Sequence, residues 1–231
     1  VIVLETIRNQ QPTDEFIHTI KDVAKKNSIV FIVDEITSGW RLNVGGAHLN
    51  YHIKPDIAVF AKGMSNGYPM GAIIGKSEVM EVAQDSFISS TYWTERIGPT
   101  AAITTIKKMQ KYNVPQHLIK IGKLVQEGWI ALAKKHGIDI NITGICPLSH
   151  FSFINNEHLK LKTLFTQLML EKGFLASTVF YSSYAHKEKQ VHNYLLAVDS
   201  TFKIIANSIQ RGNIDELLKT PVCHEGFKRL N

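Results

Sequence analysis

Two residues stand where an amine and a carboxylate could do chemistry together. The stretch "VFAKGMSNGYPMG", residues 59–71, ends an apolar run on Lys62 and follows it with Gly63, Gly67 and Gly71. The stretch "SIVFIVDE", residues 28–35, ends another apolar run on Asp34 and Glu35. A lysine amine held in a cavity can attack a carbonyl carbon, and glycines let the backbone pass close to a bound group. A carboxylate at the end of a neighbouring run can hold a proton on a ligand, or it can form a plain ion pair with the amine. Sequence position alone leaves both readings open.

The elements that must position these residues read as α/β. Residues 1–5 form a strand of the near-continuous apolar kind. Pro12, Asp14 and Glu15 then open a helix that closes on Lys21, Lys25 and Lys26, with charges disposed as the helix dipole favours. Along it Phe16, Ile17, Ile20, Val23 and Ala24 recur at helical spacing. "SIVFIVDE" is a second strand, "DIAVFAK" a third and "GAIIG" a fourth. Strand, helix and strand joined by short loops imply a mainly parallel sheet with flanking helices. After Gly98-Pro99 the pattern changes to helices over about 99–112 and 116–136. Alternating strands at Ile138, Ile140 and Ile142 and at "HFSFI" follow, then a helix ending at Gly173. A strand at "FLAST" and a helix over about 187–208 complete an α+β small domain. The expected division is 1–120 for a large domain and 121–231 for the C-terminal domain, with the boundary in the helix after Pro115.

Composition narrows the classes. At 231 residues and 44% hydrophobic the chain can bury a substantial core. No run approaches the roughly 20 apolar residues that span a bilayer. The net charge of +6 is spread over several helices, with no basic stripe interleaved with aromatics, which argues against nucleic acid. Cys146 and Cys223 give neither a disulfide framework nor a metal spacing, and the ten histidines form no ligand set, so no metal is expected and a cytoplasmic location is. The chain opens at Val1 inside an apolar strand without a methionine. The expectation is therefore the C-terminal portion of a longer protein.

Ligands of open α/β sheets bind outside the carboxyl ends of the strands, where Asp34 and Lys62 both fall. A lysine and a carboxylate so placed suit pyridoxal 5'-phosphate (PLP), which needs a Schiff-base lysine and an acid on its pyridine nitrogen. "FIVDEITSGWR" followed by "KPDIAVFAKGMSNGYPMGAIIG" resembles the class III aminotransferases of PLP fold type I, especially the glutamate-1-semialdehyde aminomutase-like branch. "SSTYWTE" and the later "LMLEKGFLAS" and "YSSYAHKEKQVHNYLLAV" are similar to further parts of that family. Ile36 and Trp40 replace the family's valine and phenylalanine, and "TER" replaces its Gly-Asn-Pro after the threonine.

The resemblance implies that Lys62 is the Schiff-base lysine, that Asp34 partners the pyridine nitrogen, and that Ile36 packs on the ring. It implies that Thr91 reaches the cofactor phosphate of the neighbouring subunit, and hence a homodimer with shared sites. The family's phosphate loop and stacking aromatic lie upstream of the first strand and are not in this chain. Glu5 matches a supporting acid, Arg41 braces a turn, and Tyr68, Trp93 and Tyr181 are candidate pocket linings, with His186 a surface or cap residue. The expected activity is transfer of an amino group between an amino donor and a carbonyl compound. The alternatives are a 2,1-aminomutase with the same cofactor, an inactive fragment, and a P-loop-type NTPase, for which "IVFIVDE" alone is a weak motif without a Gly-x-x-x-x-Gly-Lys-Ser/Thr loop.

Overall fold

The computed structural model describes residues 1–7, 10–92 and 94–226. The chain divides into two compact units, Val1–Ile119 and Lys120–Asn231. In the first, β1 (Ile2–Glu5), β2 (Phe31–Asp34), β3 (Ile57–Phe60) and β4 (Ala72–Gly75) make one sheet in the order β1-β2-β3-β4. The β1/β2 and β2/β3 pairs are parallel, and β4 joins β3 antiparallel. The sheet is thus mixed, and the departure at β4 has a simple cause. A parallel crossover needs about a dozen residues or more, usually with a helix. The β3–β4 link contains only a 3-10 turn over Lys62–Met64, so the chain doubles back.

Helix α1 (Asp14–Lys26) links β1 to β2. Thr13 Oγ1 accepts the Phe16 N–H at 3.2 Å as its N-cap, and Asp14, Glu15, Lys25 and Lys26 sit at the ends that the dipole favours. Of its apolar positions Ile17 and Ala24 are buried, while Phe16 and Val23 remain about half exposed. Strand register puts Phe31, Val33, Ala58 and Phe60 on one buried face of the sheet. Ile32, Asp34, Ile57 and Val59 lie on the other, half-buried face, where Glu5, Asp34 and Val59 are lateral neighbours at the carboxyl edge. Short α2 (Ser77–Met80) and α3 (Ile97–Lys111) follow.

The second unit contains most of α4 (Val114–His136), then β5 (Ile140–Thr143), β6 (Leu148–Phe153), α5 (His158–Glu171), β7 (Val179–Tyr181), α6 (Glu188–Arg211) and α7 (Ile214–Leu217). The three strands form an antiparallel sheet in the order β5-β6-β7. On α6, Val191, Tyr194, Val198, Phe202 and Ile205 are buried along one face, at the spacing an amphipathic helix requires. They join Trp129, Phe151, Phe153, Leu161 and Phe165 in a single cluster.

The strand expected at "FLAST" does not form. The Phe174 N–H is taken by Met169 O at 2.9 Å and the Ala176 N–H by Phe174 O at 2.8 Å, so two of the five N–H groups of this segment are spent on local bonds. Pairing begins at Val179 instead. Among the described residues no helix is long and apolar enough to cross a membrane, and no cluster of three or more His, Cys, Asp or Glu could hold a metal ion.

Candidate functional site

Asp34 is the last residue of β2 and sits opposite Val59 of β3, three residues before Lys62. Asp34 Oδ1 accepts the Ile36 N–H at 2.8 Å, an Asx-type bond that starts the turn and leaves Oδ2 as an acceptor toward the half-open face. Lys62 opens the 3-10 turn Lys62–Met64 with φ of 44°, a left-handed conformation that costs a non-glycine residue about 1 kcal/mol or more. Its exposed amine donates from Nζ to Thr37 Oγ1 at 2.7 Å. The lysine at the end of β3 and the aspartate at the end of β2 are therefore coupled through the turn that begins at Asp34. The point where a Cβ would stand on Gly63 lies 3.6 Å from Trp40 Cβ and 3.9 Å from Arg41 Cζ, so the two turns lie against one another.

Glu35, one residue beyond Asp34, faces the opposite way and is wholly buried. Its Oε1 accepts Thr6 Oγ1–H, the His48 N–H and His48 Nδ1–H, each at 2.8 Å. Its Oε2 accepts Ser38 Oγ–H and the Ala47 N–H, also at 2.8 Å. Burial pushes the Glu35 carboxyl up, but the hydrogen bonds from the His48 ring, the His48 and Ala47 amides and Ser38 outweigh it and hold the group below the usual carboxylate range. The surroundings are tight. A Cβ on Gly39 would stand 2.5 Å from Glu35 O, and one on Gly46 would stand 2.9 Å from Glu35 Cδ.

Asp56 makes a second clamp at the far end of β2. Its Oδ2 accepts the Phe31 N–H at 2.8 Å and its Oδ1 the Lys76 ammonium at 2.7 Å, fixing the start of β2 to the end of β4. Burial raises its carboxyl, and the Lys76 and Phe31 bonds bring it below its ordinary value.

Of the residues singled out from sequence, Asp34, Ile36 and Lys62 lie together around the Asp34 turn. Thr91 lies on an exposed segment before α3 and makes no hydrogen bond to them among the described residues. Tyr68 lines a cleft of about 480 Å³ with Ser65, Asn66, Arg96, Thr100 and Lys108. Tyr181 lines one of about 380 Å³ in the second unit with Phe174, Phe180, His186 and Tyr194. The His186 ring accepts the Ser183 N–H at 3.0 Å and lies 5.0 Å from Phe180. Trp93 lies outside the described residues. Sequence reasoning passed over Glu35 and Thr37. The signal for Glu35 was the period of two along the strand: if Asp34 faces the open side, its neighbour must face the core, where a carboxylate requires several donors.

A family model described as "Aminotransferase class-III" matches residues 2–184. The chain is 33% identical over 209 residues to a glutamate-1-semialdehyde 2,1-aminomutase of Thermodesulfovibrio yellowstonii, covering 83% of this chain and 49% of that protein. It is 30% identical over 171 residues to a 3-aminobutyryl-CoA aminotransferase of Cloacimonas acidaminovorans, covering 72% of this chain and 41% of that one. Among solved structures, the PLP internal aldimine form of the FumI protein of Sphingopyxis sp. MTA144 superposes with a TM-score of 0.85 at 21% identity, over 90% of this chain and 52% of that chain. The chain spans about half the length of the curated relatives it matches.

Proposed function

Since the chain belongs to the class-III aminotransferase family, whose enzymes are PLP-dependent, we propose that it carries the cofactor-holding lysine of such an enzyme, Lys62. The observation that carries the proposal is the bond of 2.7 Å from Lys62 Nζ to Thr37 Oγ1, which ties the amine to the turn beginning at Asp34. The donor set suits the cofactor: a primary amine, a carboxylate with Oδ2 open as an acceptor, and an apolar side chain between them in sequence. Bound PLP would supply an electron sink for a substrate carbon that loses its proton. Lys62 would hold the cofactor covalently through Nζ and, once released by a substrate amine, would carry the substrate proton on that same atom. Asp34 Oδ2 would accept the ring N–H and keep that nitrogen protonated. Ile36 would pack on the ring.

In this reading Thr91 donates its hydroxyl to the phosphate held by a neighbouring copy, so that two copies complete two sites as a homodimer. Residues 1–120 belong to the large, PLP-binding domain and 121–231 to the small one. The two free cysteines are in keeping with a cytoplasmic enzyme. The reaction is amino transfer between a small-molecule donor and a carbonyl compound. A 2,1-aminomutase is the second reading, supported by the 33% identity to an enzyme so named.

Borohydride reduction of the PLP-loaded protein, expressed from its whole reading frame, followed by peptide mapping, tests the assignment. The pyridoxyl label is expected on Lys62, and label on another lysine overturns it. Sedimentation of the same preparation should give a dimer, and a fully active monomer would remove the role given to Thr91.

A further inference from the structure

We infer that Glu35 is a positioning residue of this site: it fixes the turn that carries Thr37, and through Thr37 it fixes the direction of the Lys62 amine. The inference rests on the reading of Lys62 as the cofactor-holding residue.

The argument starts from what the carboxylate joins. Thr6 follows β1, Ser38 belongs to the turn after β2, and Ala47 and His48 start the 3-10 helix Ala47–Tyr51. Three chain segments, one local and two remote in sequence, thus converge on the two oxygens of one side chain. Ser38 is the residue after Thr37, and Ser38 Oγ is held at 2.8 Å by Glu35 Oε2. The backbone at Gly39 closes the same turn, its N–H bonded to Glu35 O at 2.9 Å. Thr37 is therefore gripped on its C-terminal side by two bonds to Glu35, and on its N-terminal side by the Asp34–Ile36 bond. From that position it accepts the Lys62 amine.

A buried carboxylate is a poor device for stability alone. The desolvation of the charge offsets most of what its hydrogen bonds return, and a well-packed apolar residue would serve the fold as well or better. What five directed bonds provide is a fixed geometry. Lys62 needs that geometry, because its backbone is held at a left-handed φ and its side chain is otherwise exposed. A flexible four-carbon stem in water samples many directions unless a fixed acceptor selects one.

The experiment is a double-mutant cycle on PLP affinity, read by titration of the protein expressed from its whole reading frame. Glu35→Gln keeps the size of the side chain but turns an amide N–H₂ toward hydrogen-bond donors. It should weaken PLP about tenfold when Lys62 is present and less than about twofold in a Lys62→Ala background, because the amine it positions is then gone. Ser38→Ala, which removes a single bond, should show the same pattern at about threefold, and it serves if Glu35→Gln does not fold. Equal weakening in both backgrounds would show that Glu35 only supports the fold and would overturn the inference. If Lys62→Ala itself binds PLP as tightly as the unaltered protein, the reading of Lys62 fails, and the role of Glu35 falls with it.

Discussion

Phe151, at the middle of the C-terminal unit, is ringed by Trp129, Phe165, Phe153 and Phe202 with centroid separations of 4.8, 5.2, 5.4 and 5.9 Å. In the N-terminal unit the wholly buried side chain of Glu35 is ringed by hydroxyls and N–H groups. The two centres are equally dry and chemically opposite. The aromatic centre gains free energy from burial of apolar area, which depends little on direction and not at all on pH, with edge-to-face ring contacts added to it. The carboxylate centre gains little net stability but dictates where three segments lie. On the function proposed above, the C-terminal centre serves stability and the N-terminal one holds a lysine and an aspartate in place. The two should accordingly fail in different ways.

The largest effect is expected from cutting the aromatic centre. Phe151→Ala removes a wholly buried ring that touches four others, and should lower the unfolding free energy by about 3–5 kcal/mol in urea titration. A loss below about 1 kcal/mol would mean that the cluster collapses around the gap.

The converse test leaves stability alone. Asp34→Asn keeps the acceptor for Ile36 N–H through its side-chain oxygen but removes the charge facing the proposed ring nitrogen. Turnover should fall about a hundredfold or more, equivalent to about 2.7 kcal/mol in the barrier. The denaturation midpoint should move by no more than about 0.5 kcal/mol in equivalent stability. Near-normal turnover would reduce Asp34 to a turn-former at the strand end and erase the contrast between the units.

This contrast also explains what could be read from the sequence. Runs of Val, Ile and Phe with helical stretches between them reveal β1–β3 and the long helices, because burial of apolar side chains sets both the period and the length. The strand-end positions of Asp34 and Lys62 are legible because each closes an apolar run, whereas Ile36 was singled out only by the family resemblance. The antiparallel turn of β4 was less visible, since "GAIIG" has the same appearance in either direction and only the length of the preceding link decides. "FLAST" has strand composition, yet local bonds to Met169 and Phe174 take two of its five N–H groups. Glu35 and Thr37 were overlooked because their roles depend on partners 29 and 25 residues away, Thr6 and Lys62, whose approach no local pattern records.

The smallest effect sharpens the comparison from the C-terminal side, where a polar contact should matter little. Asp199 on α6 accepts Lys135 Nζ at 2.8 and 2.7 Å and the His136 ring at 2.6 Å, both from the end of α4. Lys135 and then His136 hold its carboxyl below the ordinary 3.8. A carboxyl depressed in the folded state binds its proton more readily once unfolded. Its stabilisation is therefore fully present above about pH 4 and is lost as the pH falls through the lower, folded value. Asp199→Asn should lower the melting temperature slightly at pH 7, less in high salt than in low, because the pair is partly exposed and screened. The two proteins should converge once the pH has fallen through that lower, folded value. If the gap persists unchanged in acid, Asp199 acts through its hydrogen-bond geometry and not its charge. The C-terminal unit would then contain a small positional device of the kind that Glu35 provides in its partner, and the division between a stable unit and a positioning unit would be one of degree.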